Sequence, residues 1–519
     1  MKNTTIALGA FMLIAIADSG VYAQERTRIN VMTNSPKEII SKDIYGHFAE
    51  HLGRCIYDGF WVDESMPVAK DDRIRLDIVE ALKKINIPNL RWPGGCFADE
   101  YQWSDGIGPR EKRPVTLNSH WGGVTEDNSF GTDEFLKLCS LLECEPYISA
   151  NVGSGTPEQM RDWIEYLNYE GETTLTRKRK ENGRNEPWKV SFWGVGNESW
   201  GCGGDMTPEY YADQFRRYQS YARNYSGNPI RKIACGPNNN DYNWMEVCMK
   251  RIPAYMMWGI SLHYYTIPTG NWGNKGSATE FGEQEYFKTM QNCLVMDELL
   301  QKHTAIMDKY DPKRNVALCV DEWGIWTDVE PGTNPGFLYQ QNSLRDALIA
   351  ATTLNLFNNY SHRVRMANLA QTINVLQALI LTDGPKMILT PTYHVFDLYK
   401  DHQNARYLPV QMSKKEYRNG NEALPAINAS ASVREDGTVL LTLVNISSTD
   451  AIPVDITLDE GKMGRVSGEV LSASSFTAHN TFEKPQAVEP TKLTGVKVKD
   501  GVLSTVLPAL SVVAIEVSK

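Results

Sequence analysis

Residues 191–204 read SFWGVGNESWGCGG, and their layout decides how the fold is read. An apolar run with no polar face stops abruptly at Asn197 and Glu198. Glycines follow, and then Thr207-Pro208-Glu209, a helix start with a capping threonine and a proline in the first turn. A continuous apolar run is the signature of a parallel strand buried on both faces. Run, polar end and capped helix together make one β/α unit.

The same unit recurs along the chain. IYGHFAEH (44–51), NLRWPGG (89–95), EPYISANVG (145–153), SFWGVGNE (191–198), IRKIACGP (230–237), ISLHYY (260–265), VALCVDEWG (316–324) and ANLAQTINV (367–375) are the candidate strands. Amphipathic stretches such as DIVEALKKIN and PEQMRDWIEYLN separate most of them. Thr156-Pro157-Glu158-Gln159 offers a complete capping box, which accounts for NVGSGTPEQ without a phosphate loop. Eight strands alternating with helices predict an α/β fold, a (β/α)8 TIM barrel over residues 41–400, with an open doubly wound sheet as the alternative.

Composition changes after the barrel. All 13 tryptophans and all 9 cysteines precede residue 330. The tail alternates apolar and polar residues, as in GTVLLTLVNIS and LSVVAIEVSK. This predicts an antiparallel β-sandwich domain over 401–519. The chain has 519 residues, 42% apolar and 22% charged, as in soluble globular proteins. A net charge of −10 without a long basic run argues against a nucleic-acid surface. Residues 1–23 carry Lys2, an apolar stretch at 6–17 and Val21-Tyr22-Ala23. They read as a cleaved signal peptide, too short to span a bilayer, and predict an exported, periplasmic or secreted protein with no membrane contact after cleavage. An odd number of cysteines cannot all pair within one chain, several sit in apolar runs, and no CxxC spacing occurs, so mostly free thiols are expected.

Barrel chemistry sits at the C-terminal ends of the strands. The residues closing the runs are Glu50, Arg91, Asn151, Asn197 with Glu198, His263 with Tyr265, Glu322 and Gln371. Glu198 and Glu322 close the fourth and seventh runs, each beside a tryptophan. Two carboxylates facing one cleft are what glycoside hydrolysis needs, one protonated to release the leaving group and one ionised to attack. Trp200, Trp323 and Trp326 offer flat faces for a sugar ring, although single tryptophans are more often core. His47-Phe48-Ala49-Glu50-His51 matches an inverted zinc-peptidase motif. As a strand it would set the two histidines about 13 Å apart, too far to share a metal.

With these residues in place, the chain resembles glycoside hydrolase family 51, the α-L-arabinofuranosidases. IYGHFAEHLGRCIYDG, NLRWPGGCFADEYQWSDGIGPREKRP, FGTDEFL, GVGNESWGCGG, SLHYY, DEWGIW and the segment around AQTINV carry the resemblance, which spans nearly all of the expected mature chain. The resemblance implies a barrel with a sandwich that also takes in residues 24–40 through the first strand. It implies Glu198 as general acid/base and Glu322 as nucleophile of a retaining, exo-acting enzyme, with Arg91 supporting the nucleophile. Glu50, Asn197 and Gln371 match sugar-binding positions, and His263 and Tyr265 match the substrate-site residues beside the two carboxylates, with Tyr265 bonding the nucleophile. It implies terminal arabinofuranose release from arabinan, arabinoxylan or arabino-oligosaccharides, no metal or organic cofactor, and a homo-oligomer, often a hexamer. Cys96 departs from the family's usual PGGN, and a thiol is a poorer partner than an amide for a sugar hydroxyl. Related barrel glycosidases acting on β-glucan or xylan, and a catalytically silent carbohydrate-binding protein, are the competing readings.

Overall fold

The computed structural model of the chain describes residues 26–460 and 463–518. The expected leader at 1–23 lies outside these. Each of the eight predicted runs overlaps one strand of a closed parallel barrel, the eighth only over residues 367–370, and sequence neighbours are spatial neighbours all the way round. In order, the strands are Gly46–Phe48, Asn89–Trp92, Glu145–Ala150, Phe192–Val195, Arg231–Ala234, Gly259–Thr266, Ala317–Ile325 and Val364–Ala370. Closure removes the open-sheet alternative: the eighth strand pairs with the first, Leu369 opposite His47.

Capping chemistry fixes where the helices begin. Thr156 accepts from the Gln159 amide while Gln159 returns a bond to the Thr156 N–H. Thr207 caps Pro208–Gln219 by accepting from Tyr210. These caps set how sharply the chain turns back after the third and fourth strands.

Two sheets lie C-terminal to the barrel. One has six strands, with Ile427–Val433, Val439–Asn445, Ser511–Val517 and Val466–Ser472 at its centre. The other has five and takes in Thr27–Val31, which pairs parallel with Ile452–Leu458 and antiparallel with Val410–Met412. The sandwich is therefore not wholly antiparallel, because a strand arriving from the far end of the chain is free of the hairpin constraint on direction. Helix Leu344–Asn359 joins the two regions. All of its described residues except Asn359 are buried, the mark of a helix covered on every side. Tyr286 and Asn359 donate to the carbonyls of Ile446 and Ala429 across the same junction. Among the described residues no helix is long and apolar enough to cross a membrane.

Candidate active site

Five of the strand-end residues converge on one pocket at the C-terminal rim of the barrel. Glu50, Cys96, Glu198, Tyr265, Glu322, Trp326 and Gln371 line it, together with Leu52, Gly95, Trp121, Leu338 and Leu376. Arg91, Asn197 and His263 are absent from this lining, are almost fully buried, and bond to residues of the site.

Backbone turns aim the two central carboxylates. Gly196 has φ 89° and Glu198 itself φ 38°, left-handed values that cost a non-glycine residue energy and recur at functional sites. The turn lifts Glu198 off the fourth strand and leaves it partly open to the pocket. Glu322 remains within the long seventh strand and is nearly buried. One carboxylate oxygen of each lies within 4.8 Å of the other, with His263 between them.

Each acid has its own partners. Glu322 accepts from Arg91 Nη1 at 2.7 Å and from the Tyr265 hydroxyl at 2.9 Å, one bond to each oxygen. Glu198 Oε1 meets His263 Nδ1 at 2.9 Å, and its Oε2 faces the sulfurs of Cys96 and Cys202 at 3.8 and 3.6 Å. Burial pushes the Glu198 carboxyl above its ordinary range; His263 pulls it back, and the charge of Glu322 adds to the rise. Glu50, on the opposite wall, is raised to about 7 by burial and by Glu322. It accepts from Trp121 Nε1 and the Phe97 amide on one oxygen, and from Gln371 Nε2 on the other. Gly95 leaves room for this carboxylate: a Cβ at this position would stand 2.8 Å from Glu50 Oε1, so Glu50 would have to shift.

Several expected residues sit differently. Asn197 lies behind the lining: its Oδ1 accepts from Arg91 Nη2 at 2.7 Å, and its Nδ2 donates to Asp99 Oδ2 at 3.4 Å. Asn151 closes its own loop, accepting from the Ser154 and Gly155 amides, and stays out of the pocket. Trp323 packs against Phe357 and Phe396, and Trp200 donates to the Gly236 carbonyl. Only Trp326 of the three presents itself to the pocket, edge-on to Tyr265. His47 lies against Phe396, whereas His51 pairs with Glu126, so the two histidines serve separate environments. Cys96 and Cys202 form a disulfide, with the remaining seven cysteines free.

Residues not anticipated include Trp121, Asp99, Tyr147 and Asp321. Trp121 stands on the hairpin 116–126, where no periodicity points inward. Asp321 precedes Glu322, so strict alternation would turn one of them out. The register slips on both sides of this strand, between Val320 and Trp323 against the eighth strand and opposite Ser261–His263 on the sixth. This bulge supplies the extra residue that lets both acids reach the barrel interior.

A closed parallel barrel carrying two neighbouring carboxylates in a rim pocket, one buried and one partly open, defines a barrel glycoside hydrolase. Comparisons with known proteins agree. The family model for the α-L-arabinofuranosidase 1 domain matches residues 81–292, and that for the α-L-arabinofuranosidase C-terminal domain matches 321–511. The chain belongs to glycoside hydrolase family 51, the α-L-arabinofuranosidases. It is 49% identical over 517 residues, 99% of this chain and 100% of the relative, to an intracellular exo-α-L-arabinofuranosidase of Bacteroides ovatus. The family 51 arabinofuranosidase structure from Xanthomonas axonopodis pv. citri aligns with TM-score 0.93 and 48% identity over 95% of this chain and all of that one. The Thermotoga maritima α-L-arabinofuranosidase in complex with arabinose aligns with TM-score 0.84 and 32% identity, with the same coverage.

The Bacteroides relative overturns the expectation of export, because it is named intracellular while matching 99% of this chain. A lysine followed by an apolar stretch meets the hydropathy requirement of a leader, but hydropathy alone does not specify the compartment in which a chain works.

Proposed function

We propose that this α-L-arabinofuranosidase is exo-acting and retaining, with Glu322 as nucleophile and Glu198 as general acid/base. The approach of the two carboxylates, with oxygens within 4.8 Å, carries the reading. Retaining enzymes keep the pair about 5–5.5 Å apart, whereas inverting enzymes leave about 6.5–9.5 Å for a water.

In the first step Glu322 attacks the anomeric carbon while the Glu198 proton passes to the departing oxygen. Arg91 and Tyr265 hold the two oxygens of Glu322, so the attacking carboxylate meets the sugar already oriented. The elevated Glu198 carboxyl is suited to arriving protonated. In the second step ionised Glu198 takes a proton from water, which releases arabinose from Glu322. Glu50 and Gln371 face the ring from the opposite wall, where a carboxylate and an amide match vicinal hydroxyls. Trp326 and Trp121 supply apolar surface at the mouth. The lining is short and closes around the two carboxylates with Trp121, Leu338 and Leu376, which suits one terminal residue better than a bound chain. The Bacteroides relative, named exo-acting, supports this choice. Terminal arabinofuranose of arabinan, arabinoxylan and their oligosaccharides is the proposed substrate. The family also suggests a homo-oligomer, which sedimentation velocity would test.

The test is turnover of 4-nitrophenyl α-L-arabinofuranoside by the wild type, Glu198→Ala and Glu322→Ala, each with added azide. Glu198→Ala should yield the arabinosyl azide of retained configuration, and Glu322→Ala the inverted one. Full activity in Glu322→Ala without azide would refute the assignment. Activity on xylan or β-glucan with none on the arabinoside would refute the substrate.

A further inference from the structure

His263 stands between two acids that the double displacement uses and a third, Asp321, for which it has no role. Its Nδ1 lies 2.9 Å from Glu198 Oε1 and 3.6 Å from Glu322 Oε2. Its Nε2 lies 3.2 Å from Asp321 Oδ1. The other Asp321 oxygen accepts from the Tyr147 hydroxyl at 2.6 Å and faces Arg91 Nε at 3.7 Å. Asp321 and His263 are nearly devoid of solvent exposure, and the bulge in the seventh strand exists where Asp321 turns inward.

Donor and acceptor chemistry, taken with the surrounding charges, favours one arrangement of protons. An ionised carboxylate only accepts, so Asp321 requires a proton on Nε2. Nδ1 faces two carboxylates, of which Glu322 is the nucleophile and carries charge, so Nδ1 also bears a proton. The ring is a doubly donating imidazolium. Burial alone would lower its pKa, but Glu322, Asp321 and Glu198 outweigh burial and raise it to about 10. The charged and titratable groups around the ring are these three acids, Arg91, Tyr147 and Tyr265, from five different strand ends. With Oε1 of Glu198 accepting from Nδ1–H, the transferable proton is left on Oε2. That oxygen faces the Cys96–Cys202 disulfide, which has no proton to donate and accepts weakly, so Oε2–H stays free for the glycosidic oxygen.

We propose that Asp321 is a positioning residue for the acid/base chemistry of Glu198. It holds His263 as an imidazolium that occupies Oε1, so the proton to be delivered sits on Oε2, toward the pocket. This rests on Glu198 being the acid/base. In Asp321→Asn, the Nε2–H can still donate to the amide oxygen, but the ring keeps Glu322 and loses the Asp321 counter-charge, so it gives up its Nδ1 proton more readily. The bare Nδ1 then captures the Glu198 proton and turns it away from the leaving oxygen. In the glycosylation step the anomeric C–O bond breaks, the bond to Glu322 forms and this proton moves to the departing oxygen. Misdirecting it therefore penalises a poor leaving group most.

The experiment compares kcat/KM for α-1,5-arabinobiose, whose sugar alkoxide needs the proton, with that for 4-nitrophenyl α-L-arabinofuranoside, whose phenolate needs it less. Asp321→Asn should lose about 100-fold on the disaccharide, at the low end of the range for general acid catalysis, and less than about tenfold on the aryl substrate. Tyr147→Phe keeps the carboxylate and should preserve the wild-type ratio between the two substrates. Equal losses on both substrates in a folded Asp321→Asn overturn the proposal. Where Asp321→Asn does not fold, the imidazole ¹⁵N signals of wild-type enzyme decide, assigned by their loss in His263→Gln. Two protonated nitrogens at pH 8 support the proposal, and a neutral ring overturns it. Azide rescue of Glu198→Ala tests the acid/base reading separately: rescue there, with equal losses in Asp321→Asn, defeats this proposal alone.

Discussion

Reduction of the Cys96–Cys202 bond should lower the unfolding temperature by about 4 °C. The bond closes a loop of 106 residues. The chain-entropy estimate for a loop of about 100 residues is roughly 4.7 kcal/mol, an upper figure because reduced chains keep residual structure. Unfolding entropy near 60 °C is about 2.1 cal/mol/K per residue, so 519 residues unfolding together have about 1.1 kcal/mol/K. Dividing one by the other gives the shift. Disulfides are rare in cytosolic proteins, so the state of this pair is itself informative. Thiol titration in denaturant should count seven thiols in enzyme kept in air and nine after reduction, since seven of the nine cysteines are free. Differential scanning calorimetry before and after reduction reads the shift, with Cys202→Ser as the genetic equivalent. Nine thiols in unreduced enzyme would refute the pairing. An unchanged midpoint on going from seven to nine would refute the stabilisation argument.

The other predictions concern the pocket. Tyr265→Phe removes a hydrogen bond to the Glu322 carboxylate, worth about 1.5–3 kcal/mol for a charged acceptor, so kcat/KM should fall roughly 10- to 150-fold with little change in unfolding temperature. Glu50 has a raised pKa in the fold, about 7 against an ordinary 4.5, so its contribution to stability is complete below pH 4.5 and is lost as pH rises through 7. Glu50→Gln should therefore regain on the order of 3 kcal/mol at pH 9 relative to wild type when each is referenced to pH 4, as read by urea unfolding at the two pH values. Gly95→Ala places a methyl 2.8 Å from Glu50 Oε1 and should cut activity by at least tenfold while the barrel stays folded, as judged by circular dichroism.

Much of this enzyme is legible in its sequence. All eight barrel strands could be found because parallel strands buried on both faces must be apolar throughout, and their polar ends stand out against that background. Glu50, Glu198, Tyr265, Glu322 and Gln371 were found as strand ends and line the pocket. Trp326 stands out by its aromatic ring near Glu322, and Cys96 by its place in the motif that resembles the family. Asn197, Arg91 and His263 came from the same reading, but the structure places them beneath the lining, bonded to one another's partners.

The linear sequence by itself determined the alternation of strands and helices, the caps that start the helices and the placing of each glutamate at the end of its own strand, because these depend on residues within one turn or one strand of each other. Tertiary structure alone decided the rest. Cys96 and Cys202 meet across 106 residues of chain, and no local pattern records that meeting. Trp121 reaches Glu50 from a hairpin whose direction depends on what it packs against. Asp321 turns inward only because the seventh strand bulges against both neighbours, and a bulge follows from the pairing of three strands at once. Composition and period are properties of segments, whereas register, bulges and cross-chain bonds are properties of how segments are assembled.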